Sequence, residues 1–341
     1  VASALAVDAR TSGSFTSAHA RRRYALVLGV LVVLSAAFAF ALLAWDNPMP
    51  IGSPGFWRIA KLRVTNVTVM AVVAVAQAIA TVSFQTVTNN RIITPSIMGF
   101  ESLYRVVQTT TVYLFGVAGL VAIQGVWQFG LQVVIMVGLA MALYGWLLSG
   151  RYGNLQIMLL IGIIIGGGLG AISTFMQRLL TPSEFDVLAA RLFGNVSNAD
   201  ASYLPLAIPL CIAASALLWL RARRLNLLAL GPDVSRSLGL DHKRELYAVL
   251  FLVAVLMATS TALVGPMTFL GFLVATLAYQ FADTYDHRLI FPVAVLTAFT
   301  ILAGAYFVMK NVFYAQGMVS ILIELVGGTV FLVVILRKGR L

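Results

Sequence analysis

Apolar runs of about twenty residues recur along this chain, separated by short polar breaks, and that repetition constrains the fold more than any single motif does. As a helix, such a run is about as long as the ~30 Å hydrocarbon layer of a bilayer is thick. A helix also satisfies its own backbone hydrogen bonds, which lipid cannot do. The expected fold class is therefore an all-α polytopic membrane protein. Composition agrees, since 60% of the 341 residues are hydrophobic and 10% are charged, against about 25% charged in a soluble domain.

Ten transmembrane helices are expected, at residues 24–45, 64–87, 97–123, 130–148, 155–175, 203–220, 246–264, 267–281, 290–309 and 318–336. Residues 1–20 are small and polar and are expected to form a disordered cytoplasmic N-terminus, ahead of a single transmembrane domain over 21–341. The first run has the charge order of a signal peptide but is too long for one, and no convincing cleavage site follows it. Residues 46–63 are expected as a polar connection. The run at 267–281 is too short to span by itself unless it is tilted or set within the bundle against other protein. Thr181 and Pro182 signal the start of a short outer helix. Gly162 and Gly166 make a small-xxx-small step suited to close helix approach.

Residues 221–244 interrupt the series with six basic side chains before Glu245. Each arginine at a bilayer centre costs at least ~2.5 kcal/mol, so this stretch lies outside the membrane. Gly231-Pro232 divides it into two short helices, with Asp233 expected to cap the second and Gly239 to close it. Its leucines, Leu225, Leu227, Leu228, Leu230, Leu238 and Leu240, offer a docking surface to a cytoplasmic partner. A loop that merely obeys the charge rule, with its leucines on lipid headgroups, is the alternative. With both termini on the cytoplasmic side, sixteen of the 23 basic residues fall inside, which is the expected bias.

That placement reads the net charge of +11 as topology rather than as a nucleic-acid surface. Cys211 is the only cysteine, and His19, His242 and His287 are scattered in polar segments and expected to be solvated, so no metal site or cofactor is expected. Glu101 and Arg105 share a helix face, so either they pair inside the bundle or, as expected from the polar loop before them, the helix begins at the aqueous rim. Glu184 and Asp186 beside Arg191 read as a helix start rather than as a catalytic set.

Three segments resemble the FecCD/BtuC-type permeases of iron–siderophore and vitamin B12 importers. They are FQTVTNNRIITPSIMG at 84–99, LNLLALGPDVSRSLGLD at 225–241 and VGPMTFLGFLVATLAYQFADTYDHRLIFP at 264–292. The resemblance implies a BtuC-like permease fold in the bacterial cytoplasmic (inner) membrane. It implies a homodimer, or a heterodimer with a paired permease, two ATP-binding subunits inside and a substrate-binding protein outside. The cargo implied is an iron–siderophore complex, with vitamin B12 or haem as alternatives. No Walker A sequence is present, so ATP hydrolysis falls to the separate subunit and no catalytic residue is expected here.

By the same resemblance, ATPase coupling is expected from Arg223, Arg224, Leu225, Leu227, Leu228, Leu230, Gly231, Arg236, Leu238, Gly239 and Leu240. Docking of the binding protein is expected from Arg58, Lys61, Arg63 and Lys310, although Thr65-Asn66 stands where the family usually has Pro-Arg. Gln77, Gln85, Glu101, Arg105, Gln108 and Thr109 are the expected path-lining residues. An ion-coupled secondary transporter is the competing class; it would require clustered midplane carboxylates, and no such pair is evident in the sequence.

Overall fold

The computed structural model describes residues 13–15, 17–122, 125–149, 155–313 and 319–338. Expectations on residues 1–12, on Arg151 and on 339–341 lie outside these. Among the described residues the regular structure is helical: α1 (Ala18–Ala44), α2 (Pro54–Val87), α3 (Glu101–Ala122), α4 (Val126–Ser149), α5 (Leu155–Gln177), α6 (Pro182–Leu192), α7 (Leu204–Leu220), α8 (Ala222–Leu228), α9 (Pro232–Ser237), α10 (His242–Val264), α11 (Leu270–Ala282), α12 (His287–Asn311) and α13 (Val319–Lys338).

Seven of these, not ten, are long and apolar enough to cross a membrane among the described residues: α1, α2, α4, α5, α7, α10 and α12. The other three expected spans form helices that fall short for different reasons. The first half of α3 carries Glu101, Arg105 and the polar run Gln108 to Thr111, which lowers its apolarity. The 13 residues of α11 cover only about 20 Å at 1.5 Å each. The described apolar part of α13 is Val319–Val333.

Helix starts follow local chemistry. Ser17 accepts from the Ala20 N–H at 3.1 Å, so α1 begins inside the segment expected to be unstructured. Ser53 accepts from the Phe56 N–H at 3.2 Å with Pro54 in the first turn, and α2 therefore starts ten residues before the expected span at 64. Thr181 and Glu184 form a reciprocal capping box on α6. Asp241 and Asp286 cap α10 and α12.

At the centre stands α2, packed by α10, α12, α11, α7 and α1. Its polar side chains face protein rather than lipid: Gln77 is fully buried and donates to Ser260 of α10 at 3.1 Å. α11 lies within the bundle against α2 and α12, as its length requires. By contrast α1, α4 and α5 expose most of their apolar surface. Alternation of the spans places α8 and α9, the C-terminal end of α2 and the N-terminal ends of α10 and α12 together on one side, here called the basic face.

The glycine step on α5 is used as its spacing suggests. Gly99, at φ +94°, lies in the turn Ser96–Phe100 and meets Gly166 backbone to backbone; a Cβ on Gly166 would stand 2.8 Å from the Gly99 Cα. This contact holds the start of α3 against the middle of α5. Glu101 is consequently buried, not at the aqueous rim as expected, and Thr268 just before α11 donates to its Oε2 at 2.6 Å. No ion pair between Glu101 and Arg105 forms. Two histidines also depart from expectation: His242 and His287 are buried, because each heads a helix whose first turn packs inward, while His19 is exposed.

Candidate coupling surface and permease family

On the basic face, α8 continues from α7 through Arg221, and Gly231 at φ +91° turns the chain into Pro232 at the head of α9. Asp233 does not cap α9, since Gly231 holds the N-cap position and Asp233 sits in the first turn. Gly239, at φ +82°, closes α9. Its N–H reaches the Arg236 carbonyl at 2.9 Å, and the Leu240 N–H reaches the Ser235 carbonyl at 3.0 Å. This is a Schellman pattern in which only a residue tolerant of positive φ serves at 239.

The leucines divide into two sets. Leu225 and Leu228 are buried and anchor α8 to the bundle, so neither is available to a partner. Leu227 and Leu240 are half-buried. Leu230 and Leu238 are exposed, and Val234, which the sequence reading passed over, is exposed between them at four-residue steps. Burying each of the exposed three in a partner's groove contributes roughly 1.5–3 kcal/mol. Arg223 and Arg236 are exposed beside them.

Arg224 is committed elsewhere. With Arg221 it grips Glu245 at the head of α10, Arg221 at 2.7 Å and Arg224 on the other carboxylate oxygen. The Glu245 side chain is only 9% exposed, so the clamp is well shielded from water on one side. The Ser235 hydroxyl meets His242 Nδ1 at 2.8 Å and ties α9 to α10. A second tie runs from α8 to α12: Asn226 Oδ1 accepts from the His287 backbone N–H at 3.1 Å, and Asn226 Nδ2 donates to Asp286 at 3.3 Å. Burial pushes the Asp286 carboxyl up, but hydrogen bonds from the Arg288 N–H, Asn226 and Ser14, with the Arg288 charge, outweigh it and hold the group below its ordinary value. The insert formed by α8 and α9 is thus fastened to two spans, α10 and α12, with an apolar ridge left open.

On the opposite side, Arg58, Lys61 and Lys310 are exposed. Arg63 is half-buried, and its guanidinium donates to the Trp45 carbonyl and, at 3.0 Å, to the Asp46 carbonyl, closing the end of α1. Lys310 lies within electrostatic range of Arg63 and Asp46, which brings two of the four expected docking cations together beside one acid.

The expected path residues do not converge on one channel in the single chain. Gln77 sits between α2 and α10, and Gln85 is buried and donates to the Arg91 carbonyl at 2.8 Å. Thr109 is fully buried and shares Ser173 and Gln177 of α5. Glu101 is buried at Thr268, and Arg105 is half-buried. Gln108 alone of the six lines a cavity of about 440 Å³ on the side away from the basic face, with Tyr104, Gln132, Arg191, Asp200 and Tyr203. Among the described residues no group of three or more His, Cys, Asp and Glu could hold a metal ion.

Sequence reasoning missed Val234, Glu245 and Asn226. Glu245 carried a signal, as the first acid after six bases. Asn226, set among leucines, carried little.

A helical membrane bundle with a fastened, apolar-ridged insert on its basic face has the build of a membrane transport subunit, and the family match defines it as a permease. The family model described as "FecCD transport family" matches residues 27–337. The chain belongs to that family. It is 51% identical over 341 residues, 100% of this chain and 96% of the relative, to "Petrobactin import system permease protein FatC" of Bacillus anthracis. It is 34% identical over 319 residues, 93% of this chain and 98% of the relative, to "Petrobactin import system permease protein YclO" of Bacillus subtilis (strain 168). Its fold matches a metal-chelate type ABC transporter in an inward-facing conformation with a TM-score of 0.80 at 21% identity, covering 92% of this chain and 99% of that one.

Proposed function

We propose that this chain is the membrane-spanning permease subunit of an ATP-driven importer of iron–siderophore complexes, and that a petrobactin-type chelate is its cargo. The observation that carries this reading is the 51% identity, along the whole chain, to a permease of a petrobactin import system. A second permease of the same-named system in the same organism, FatD, is 26% identical to this chain over 280 residues. Two permeases under one system name favour a heterodimer over a homodimer.

In this reading two ATP-binding subunits sit on the basic face, and a binding protein delivers cargo to the opposite face. Nucleotide binding draws the ATPase subunits together, and Leu230, Val234 and Leu238, seated in a groove of one of them, carry α8 and α9 along. Arg223 and Arg236 orient the contact. Because Arg221, Arg224 and Glu245 tie this insert to α10, its displacement passes to the bundle rather than into slack. On the far side Arg58, Lys61 and Lys310 supply the positive charge that an acidic docking lobe requires, and Arg63 shapes that surface from within. The helices belong to one permease domain, with both termini on the ATPase side, in the bacterial cytoplasmic membrane.

Reconstitution of the paired permeases with their ATPase and binding protein tests the cargo. Labelled ferric petrobactin is expected to accumulate in an ATP-dependent manner, and vitamin B12 and haem are not. Uptake driven by a proton or sodium gradient at fixed ATP would contradict the reading.

A further inference from the structure

The ion pairs on Glu245 fasten the insert to α10, but α2, the helix at the centre of the bundle, carries no part of that clamp. A separate connection, buried at its α2 end, reaches it. His287, only 3% exposed at the head of α12, stands between Asn226 of α8 and Thr86 near the end of α2. Its Nδ1 lies 2.5 Å from Asn226 Oδ1, and its Nε2 lies 2.6 Å from the Thr86 hydroxyl.

The donors in this connection can be assigned. Asn226 Oδ1 already accepts from the His287 backbone N–H, while its amide nitrogen donates to Asp286. An oxygen facing Nδ1 requires the proton on Nδ1. In the neutral ring Nε2 is then bare and accepts from Thr86. The Thr86 hydroxyl has one hydrogen and two takers, because the Val82 carbonyl lies 2.8 Å away. That carbonyl has a second side-chain donor in the Tyr279 hydroxyl at 3.4 Å, so giving the Thr86 hydrogen to His287 leaves it a side-chain partner. The result is a chain with every donor pointing one way, from Thr86 to His287, to Asn226, to Asp286. Successive bonds of this kind polarise and strengthen one another.

We propose that Asn226, His287 and Thr86 form the latch through which displacement of the coupling segment is imposed on α2. The proposal rests on the reading that α8 and α9 receive the ATPase movement. Hydrogen bonds near 2.6 Å tolerate only a few tenths of an ångström of stretch before they weaken. The Thr86–His287 bond is buried and the His287–Asn226 bond half-buried, so breaking either costs the desolvation of its partners, and α8, the head of α12 and the end of α2 move as one body. His287 is a positioning residue, not a group that meets cargo. The latch predicts that losing any one member lets the ATPase cycle while α2 lags.

The test uses the complete reconstituted importer and reads cargo transported per ATP hydrolysed, a ratio that a loss of folded protein does not move. Thr86→Val keeps the shape of the side chain and removes the hydroxyl; the ratio is expected to fall about tenfold, the equivalent of one buried hydrogen bond. Thr86→Ser is expected to restore it. Asn226→Ala is expected to lower the ratio similarly, and the double variant to be no worse than either single one. A wild-type ratio in Thr86→Val, or losses that multiply in the double variant, would overturn the latch. A cysteine placed at Leu238 separates this failure from failure of the underlying reading. If it crosslinks to the ATPase subunit while the ratio in Thr86→Val stays at wild type, only the latch is wrong.

Discussion

Arg221, where α7 passes into α8, donates to Glu245 at the head of α10 across 2.7 Å, with Arg224 on the other carboxylate oxygen. One acid thereby holds two of the six bases of the interruption and fixes the insert to a spanning helix. Replacement by Gln keeps the shape and removes the charge. Glu245→Gln is expected to cost roughly 1–3 kcal/mol, below the loss for a fully buried pair because both arginines reach water. Unfolding of the purified subunit in detergent measures it, and the deficit is expected to shrink in high salt because wild type itself loses part of the screened pairs.

Gly166→Ala brings a methyl group within 2.8 Å of the Gly99 Cα, where backbone rather than a flexible side chain must yield. The expected cost is about 1–3 kcal/mol. Gly167→Ala is the control, since nothing lies within 4 Å of the added carbon. It is expected to be neutral or slightly stabilising through helix propensity. Equal thermal shifts in the two variants would show that the α3–α5 approach does not depend on this contact.

Thr268→Val leaves the buried Glu101 carboxyl without its 2.6 Å donor. The expected destabilisation is about 1–3 kcal/mol, the cost of taking its nearest donor from a buried polar group that keeps only Ser96. Combining it with Glu101→Gln, which removes any buried charge, is expected to recover part of the loss. A double-variant cycle of unfolding free energies reads the coupling; strict additivity would separate the two residues.

The Asp286 carboxyl is held below its ordinary value of 3.8. A lowered carboxyl contributes stability that is fully present above the unfolded value and is lost as pH falls through the folded one. Asp286→Ala is therefore expected to be less stable by roughly 0.5–2 kcal/mol at neutral pH, through loss of the α12 cap. The gap from wild type is expected to close as pH drops below 3.8. Paired acid titrations of unfolding check this.

Much of this architecture is written in the apolar runs, because a bilayer-length helix is specified by its own composition. The short, embedded α11 and the glycine step at Gly162 and Gly166 were legible for the same reason, each following from a length or a spacing. The facing of the coupling segment was not. Helices of seven and six residues contain too few turns to show a periodic stripe, so Leu225 and Leu228 look like Leu230 and Leu238 until their packing is seen. His287 was misread because its neighbours Asp283 to Arg288 are polar, while its burial comes from α2 and α8, far away in sequence. Glu101 was misplaced because the preceding loop is polar, whereas the chain climbs inside the bundle to reach Gly166.

The central claim is that Leu230, Val234 and Leu238 face a nucleotide-driven partner. Cys211 is buried, so a cysteine introduced at Leu238 is the reactive one among described positions. Its crosslinking in the assembled importer, with and without ATP, measures the claim directly. The account predicts a product containing the ATPase subunit whose yield changes when nucleotide binds. Labelling of that cysteine only from the binding-protein side of the membrane, with no such product, would contradict it.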